Sequence, residues 1–123
     1  MSSQARQRWL EVEQLGDVTL VRIVPREILD EMMIQVLGEQ LYALVDEERC
    51  RRLVLNFGAV RKMTSPMLGK IRKLYDKVQG VGGRLAFCKI HPALQPGFDI
   101  LQLPRSLMHD EEQAALEAIQ RGS

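Results

Sequence analysis

Cysteine and histidine, the residues that most often build disulfides and metal sites, are scarce in this sequence. The 123 residues include two of each. Cys50 and Cys88 do not form a Cys-x-x-Cys pair, and His91 and His109 do not stand at metal-ligand spacings. We therefore expect neither a structural disulfide nor a metal site, and no motif in the sequence indicates another cofactor.

Long apolar runs are absent as well. No stretch approaches the roughly 20 residues that a helix needs to cross a bilayer, and the N-terminus lacks the apolar segment of a signal peptide. These absences predict a cytoplasmic protein without a membrane partner. Apolar residues make up 46% and charged residues 27% of the chain, which is typical of a globular protein. We predict a single domain over residues 1–123, with residues 1–8 as a flexible N-terminus.

Neither sign of charge dominates the whole chain, whose net charge is +1, but the charges are unevenly placed. Residues 1–48 hold 4 basic and 10 acidic side chains, whereas residues 49–77 hold 9 basic and 1 acidic. Such a basic region can bind nucleic acid. Here Tyr75 is its only candidate stacking side chain and no RNA-binding motif is present. We therefore expect a protein partner rather than DNA or RNA.

Hydrophobic patterning divides the chain into alternating strands and helices. The predicted strands lie at residues 9–15, 18–24, 53–57 and 84–88, and the predicted helices at residues 29–46 and 66–79. Gly16-Asp17 is typical of a hairpin turn. The pattern near Leu107 gives a weak signal for a further short strand, and Asp110 is expected to cap a last helix. This order predicts an α/β fold: a mixed, mostly parallel sheet of four to five strands with an N-terminal hairpin and about four helices.

The most informative segment is residues 62–69, here called the corner, which connects a buried strand to an amphipathic helix. Ser65 followed by Pro66 predicts a helix start, because a serine oxygen can accept from first-turn N–H groups and proline suits the first helical position. Thr64 is a second candidate cap. A serine at a helix N-terminus is also a place where a phosphate is electrostatically favoured. The residues alone leave open whether Ser65 is only a helix cap or a phosphorylation site.

The pattern around the corner resembles the STAS domain, the module of bacterial anti-sigma factor antagonists. That family has a strand, then Asp-Ser-Ser-Gly-Leu-Gly at the start of a helix, a Gly-Gly turn, and a strand ending in a small or cysteine residue. The matching stretches here are residues 53–57, Met-Thr-Ser-Pro-Met-Leu-Gly at residues 63–69, Gly82-Gly83, and the strand that ends at Cys88. The resemblance covers most of residues 9–120 and implies the STAS fold.

The resemblance also implies a function. In the family, the first serine of the motif is phosphorylated by a serine kinase that is itself the anti-sigma factor, and the unphosphorylated form binds that kinase. The matching residue is Ser65, which implies a phosphorylation site there and a regulatory, protein-binding role in transcription, with a phosphatase as a further candidate partner. The implied partner-binding residues are Asp30, Thr64, Ser65, Pro66, Met67 and Lys70. We expect a monomer or a weak homodimer.

Two alternatives remain open. The domain could be a constitutive STAS-type scaffold or oligomerisation module, because Thr64, Pro66 and Met67 replace the acidic residue, the second serine and the glycine of the family motif. An enzyme is the other class. The candidate catalytic residues are Asp30, Ser65, Cys88, His91 and His109, but no nucleophile–base motif such as Gly-x-Ser-x-Gly is present. We predict that the protein is not an enzyme.

Overall fold

The computed structural model describes residues 9–121, and the flexible N-terminus predicted for residues 1–8 lies outside the described residues. The strands are β1 (Leu10–Leu15), β2 (Val18–Ile23), β3 (Glu27–Ile28), β4 (Arg52–Asn56), β5 (Lys62–Met63), β6 (Arg84–Cys88) and β7 (Met108–His109). The α-helices are α1 (Glu31–Asp46), α2 (Ser65–Gly80), α3 (Gln95–Ile100) and α4 (Glu112–Arg121). Pro92–Leu94 and Arg105–Leu107 form single 3₁₀ turns.

Five of these strands form one mixed sheet in the order β1-β2-β4-β6-β7. β1 runs antiparallel to β2, and every other neighbouring pair is parallel. The hairpin turn contains Gly16 at φ +62°, a left-handed conformation that glycine adopts without a steric penalty. The hairpin, the mostly parallel sheet and the four helices confirm the α/β architecture predicted from the sequence. None of the helices in the described part of the chain has the length and apolarity that a membrane span requires.

Helices cover both faces of the sheet. Alternate residues of a strand point to opposite faces, so Leu53 and Leu55 join a large apolar cluster with α1, α2 and α3, while Val54 joins a smaller cluster with α4. In the large cluster, Phe98 of α3 packs edge-on against Phe57 and Phe87, with ring centroids 5.3 and 5.7 Å apart. The sheet is therefore the middle layer of three.

Several boundaries differ from the sequence-based expectations. The first helix begins at Glu31 rather than at residue 29, because Asp30 has extended backbone and caps it. The last helix begins at Glu112, so Glu111 rather than Asp110 precedes it and the predicted Asp110 cap is wrong. The two-residue strands β3 and β5 were not predicted, and their pairing positions the corner.

Candidate functional site

Two short parallel strands bring the beginnings of α1 and α2 together. β3 pairs with β5, with Ile28 opposite Met63, and the N–H of Thr64 donates to the carbonyl of Ile28 at 3.3 Å. The chain leaves both strands on the same side and enters a helix almost at once. Asp30, before α1, and Ser65, at the start of α2, are therefore on neighbouring segments.

Ser65 is the first residue of α2 and not its cap. The N-cap position belongs to Thr64, which has extended backbone at φ −99° and ψ 168°. The expectation that Ser65 caps the helix is therefore wrong by one residue. Its side chain is exposed, and its hydroxyl makes no hydrogen bond to any described residue. The fold thus leaves the Ser65 hydroxyl free.

Thr64 occupies the cap position without acting as a side-chain cap. Its hydroxyl makes no capping hydrogen bond, and its Oγ1 atom is buried with no hydrogen-bond partner in the described structure. A buried hydroxyl without a partner costs about 1–3 kcal/mol. The position therefore carries an unused polar atom directly next to Ser65.

The first turn of α2 offers few free backbone donors. The N–H groups of Met67 and Leu68 both donate to the carbonyl of Thr64, at 3.0 and 3.3 Å, and Pro66 has no N–H. Within the described chain, Ser65 supplies the one N–H of this turn that makes no hydrogen bond. An anion at this point would be favoured mainly by the helix dipole and not by a cradle of N–H groups.

Asp30 is exposed, and its side chain already serves as the N-cap of α1. Its Oδ2 atom accepts a hydrogen bond from the N–H of Met33 at 3.0 Å and so caps α1. Two residues, one on either side of it in the sequence, are apolar and exposed: Leu29 at 47% and Met32 at 70% of their surface. The start of α1 therefore places a carboxylate between two exposed apolar side chains, which the sequence analysis had not singled out.

Met67 and Lys70 do not share the surface of Ser65. Met67 is fully buried in the large apolar cluster, so its side chain cannot touch a partner in this structure. Lys70 lies five residues after Ser65, which turns it about 140° around the helix. Its stem crosses Gly38 of α1, and its Nζ donates to Gln35 at 3.4 Å. The structure gives both residues packing roles within the fold.

Gly69 lies one turn after Ser65 on the same side of α2. It is exposed, and a Cβ built on it would meet nothing within 4 Å. Glycine inside a helix is less favourable than alanine by about 0.8–1.0 kcal/mol. No contact within the described chain explains why glycine occupies this position.

Behind the corner, a polar network fastens α4 to the sheet. Arg22 of β2 donates to both carboxylate oxygens of Glu112, at 3.0 and 3.1 Å. Asn56, at the end of β4, donates to the same carboxylate at 2.6 Å and accepts from the N–H of Gly58 at 2.7 Å. The hydrogen bond from Arg22, with a further one from Asn56, lowers the pKa of Glu112. Sequence reasoning missed this network, because its members lie up to 90 residues apart.

The candidate catalytic residues do not form a nucleophile–base pair. No hydrogen bond in the described structure joins any two of them. The Nδ1 atom of His91 accepts from the N–H of Ala93 at 3.1 Å. Cys88 is fully buried, and burial raises the pKa of its thiol to about 11, which disfavours the reactive thiolate. In the described range, no three His, Cys, Asp or Glu side chains could together hold a metal ion.

A comparison with protein families identifies the class to which this fold and corner belong. The STAS domain family model matches residues 10–115, and the chain belongs to that family. This confirms the resemblance inferred from the sequence.

Solved structures of anti-sigma factor antagonists share the fold. SpoIIAA in its unphosphorylated form superposes with a TM-score of 0.71 at 16% identity, and the Bacillus cell fate determinant SpoIIAA in its phosphorylated form with 0.72 at 17%. Both comparisons cover 93% of this chain and 99% of that protein. An anti-sigma factor antagonist from Mycobacterium paratuberculosis gives a TM-score of 0.77 at 22% identity, covering 90% and 92% of the two chains. At these identities the likeness establishes the fold.

Proposed function

We propose that this chain is a regulatory, protein-binding STAS domain that binds a serine-kinase-type anti-sigma factor and is switched by phosphorylation at Ser65. The observation that carries the proposal is the free hydroxyl of Ser65, which is exposed at the first position of α2 and unused by the fold. A kinase can reach such a hydroxyl without unfolding the helix. SpoIIAA, which shares this fold, has been solved in unphosphorylated and phosphorylated forms.

The proposed partner surface is the exposed part of the corner together with the start of α1. It comprises Ser65, Pro66 and Gly69 on α2, and Asp30 with the exposed Leu29 and Met32 beside α1. Apolar side chains around a few polar groups are the composition expected of a protein interface. Thr64 lies at its inner edge, whereas Met67 and Lys70 support the surface from within the fold.

Phosphorylation at this position would act on the interface and not on the fold. A phosphoserine adds about −1.5 to −2 charges at pH 7. The helix dipole favours that charge by only about 0.3–1 kcal/mol at an exposed site, and few backbone donors are free to fix it. The same charge would have to be desolvated beneath a bound partner, next to the apolar Leu29 and Met32. The modified form therefore keeps its structure and loses its partner.

A constitutive STAS scaffold without a switch is the second candidate. The observation that favours it is Thr64, whose buried Oγ1 atom stands where the family has a carboxylate. A kinase that needs this carboxylate would not act on Ser65, and partner binding would then persist unregulated. In both candidates the protein acts in the cytoplasm, where ATP and sigma factors are present, and has no catalytic activity of its own.

The test uses the purified chain and the purified serine-kinase-type anti-sigma factors of the organism that encodes it. We expect mass spectrometry after incubation with ATP to find phosphate on Ser65, and calorimetry to show that Ser65→Asp weakens binding of the kinase at least tenfold. Ser106→Asp, at an exposed serine outside the corner, is the matched control and should bind as the wild type does. If both variants bind equally well and Ser65 remains unmodified, the phosphorylation switch is refuted and the constitutive scaffold is the better hypothesis.

A further inference from the structure

The edge strand β1 presents a row of unpaired backbone groups at one side of the five-stranded sheet. Within the described residues, β1 pairs with β2 and with no other strand. The N–H of Val24 donates to the carbonyl of Trp9 at 2.9 Å, so these two residues, one position before Leu10 in the register, form a hydrogen-bonded pair. Because such pairs alternate along an antiparallel ladder, residues 11, 13 and 15 bond to β2. The N–H and carbonyl groups of residues 10, 12 and 14 therefore face outward.

This edge carries few of the features that usually protect a free strand. Natural edges are often short, bulged, interrupted by proline or covered by a loop. β1 has six residues, pairs one-to-one with β2 over its whole length, and contains no proline. Its four central residues, 11–14, are all exposed, and Val12 keeps 51% of its surface. The edge is therefore regular, and no described residue covers it.

The two faces of β1 differ in their chemistry. Directly opposed residues of an antiparallel pair project to the same face. Val12 lies opposite Val21 of the large apolar cluster, whereas Glu13 lies opposite Leu20 of the smaller cluster, on the side of α4. Since side chains alternate along a strand, Glu11 shares the face of Glu13. The edge thus offers an exposed apolar side chain on one face and two carboxylates on the other.

Negative charge is in excess on the carboxylate face. Arg22, opposite Glu11, pairs with Glu13 at 3.1 Å and with Glu112 at 3.0 Å. Glu11 itself makes no ion pair or hydrogen bond in the described part of the chain. Three carboxylates and one guanidinium sum to a local charge of −2, so Glu11 stays available to a cation from outside.

The same carboxylates disfavour a second copy of this chain as the added strand. Two β1 edges can pair antiparallel only in registers that join residues 10, 12 and 14 of the two copies, since these carry the outward groups. With Val12 opposite Val12, Glu11 meets Glu13 of the other copy twice. A shift by two residues places Glu11 opposite Glu11, or Glu13 opposite Glu13. Like charges directly opposite each other destabilise a strand pair, so the edge favours a different and basic chain.

We propose that the free edge of β1 binds an extended basic segment of a partner protein, which adds to the sheet as an antiparallel strand. Lysine or arginine of that segment lies opposite Glu11 and Glu13, and a β-branched apolar residue lies opposite Val12 and covers it. Addition of a strand to a free sheet edge is a common mode of peptide recognition. None of these three residues belongs to the corner, so the proposal is independent of the phosphorylation switch.

The register defines a probe, acetyl-Thr-Lys-Val-Lys-Thr-amide. Its valine lies opposite Val12 and exchanges two hydrogen bonds with it, while its lysines lie opposite Glu11 and Glu13 and direct their N–H groups to solvent. A methyl group on the valine nitrogen therefore removes a hydrogen bond to β1, and a methyl group on the nitrogen of the first lysine removes none. These two methylated peptides are matched controls, because they differ only in the position of one methyl group.

The first measurement needs no peptide. In the free, full-length protein we expect the amide of Val12 to exchange with deuterium at least about 100-fold faster than those of Glu11 and Glu13, which donate to β2. Equal protection of all three amides would show that the edge is already covered and would overturn the proposal.

The second measurement titrates the probe at low ionic strength and is followed by NMR. We expect saturable shifts centred on Val12 and slower exchange of its amide. Binding should be about five- to tenfold weaker for the valine-methylated peptide than for the lysine-methylated one. Absence of saturable shifts, or equal affinity of the two methylated peptides, would overturn the proposal.

The third measurement tests the charges. Glu11→Lys should weaken binding of the probe about three- to tenfold. Glu117→Lys, the same charge change at an exposed position of α4, should leave binding unchanged. Acetyl-Thr-Glu-Val-Glu-Thr-amide should bind Glu11→Lys more tightly than it binds the wild-type protein. Equal binding of the lysine and glutamate peptides to the wild-type protein would overturn the basic character proposed for the partner.

Discussion

Replacing Gly69 with alanine should separate stability from partner binding. Gly69 is exposed inside α2, and a Cβ there meets nothing within 4 Å. Alanine removes the conformational cost of a helical glycine, so we expect the free energy of unfolding to rise by about 0.5–1 kcal/mol. For a domain of this size that corresponds to a melting temperature higher by about 2–4 °C. Thermal unfolding followed by circular dichroism measures this gain.

The same methyl group should weaken binding of the proposed anti-sigma factor partner. Gly69 follows Ser65 by one turn and shares its side of the helix, so a partner seated on Ser65 approaches the backbone at Gly69. We expect the dissociation constant to rise about tenfold, which calorimetry with the kinase-type partner would measure.

Gly80→Ala is the matched control for this experiment. Gly80 is the last residue of the same helix, is exposed, and also has nothing within 4 Å of an added Cβ. It lies four turns from Ser65, so binding should be unchanged, with a smaller gain in stability because the helix end is only partly ordered. A loss of stability in Gly69→Ala would refute the claim that its surroundings are open. A gain in stability with unchanged binding would remove Gly69 from the proposed interface.

Three further outcomes follow from single contacts. Asp30→Ala should lower the free energy of unfolding by about 0.5–2 kcal/mol because α1 loses its cap, while Asp30→Asn keeps most of it in urea denaturation. The lowered pKa of Glu112 contributes stability that is complete above its usual value of 4.5 and is lost as the pH falls through the folded-state value. Glu112→Gln should therefore flatten the acid side of the stability curve, and Glu117→Gln, on the same helix, should not. In the native protein at pH 8, thiol reagents should modify the half-exposed Cys50 and leave Cys88 unreacted, because burial keeps the latter thiol protonated; reaction of both without denaturant would contradict the structure.

Much of the fold could be predicted because its long elements carry strong periodic signals. The hairpin, the strand around Val54 and the two long helices were recognised from patterns that extend over many residues. The strands β3 and β5 could not be predicted in this way. Each has only two residues, which is too short to show a periodic hydrophobic pattern, and their pairing forms only in the folded chain. The polar network of Arg22, Asn56 and Glu112 escaped prediction for the same reason: only the fold brings these residues together.

At the corner, the sequence predicted the location better than the individual roles. The sequence placed the start of α2 within one residue of its true position. That one residue matters, because Thr64 and not Ser65 occupies the N-cap position, and the Ser65 hydroxyl is therefore not used for capping. Met67 belongs to the apolar stripe of α2, and the helical period alone should have removed it from the partner-binding residues. Leu29 and Met32 were missed because both fall within the helix predicted over residues 29–46, and an amphipathic pattern does not show which of its apolar side chains stay exposed. In the structure Leu29 lies before α1.

The three residues that depart from the family motif differ in how far they are exposed to a partner. Of the three, Met67 is buried, Thr64 has its hydroxyl oxygen buried, and only Pro66 is exposed. The exposed positions that match the motif are Ser65 and Gly69. Most of the change therefore falls on the inner side of the corner, which supports the helix, and less on the surface that a partner would touch. This division agrees with the proposed partner of the family's usual class. If a kinase acts on Ser65, the difference that it meets lies at Thr64, where the family's carboxylate is replaced by a hydroxyl turned into the fold.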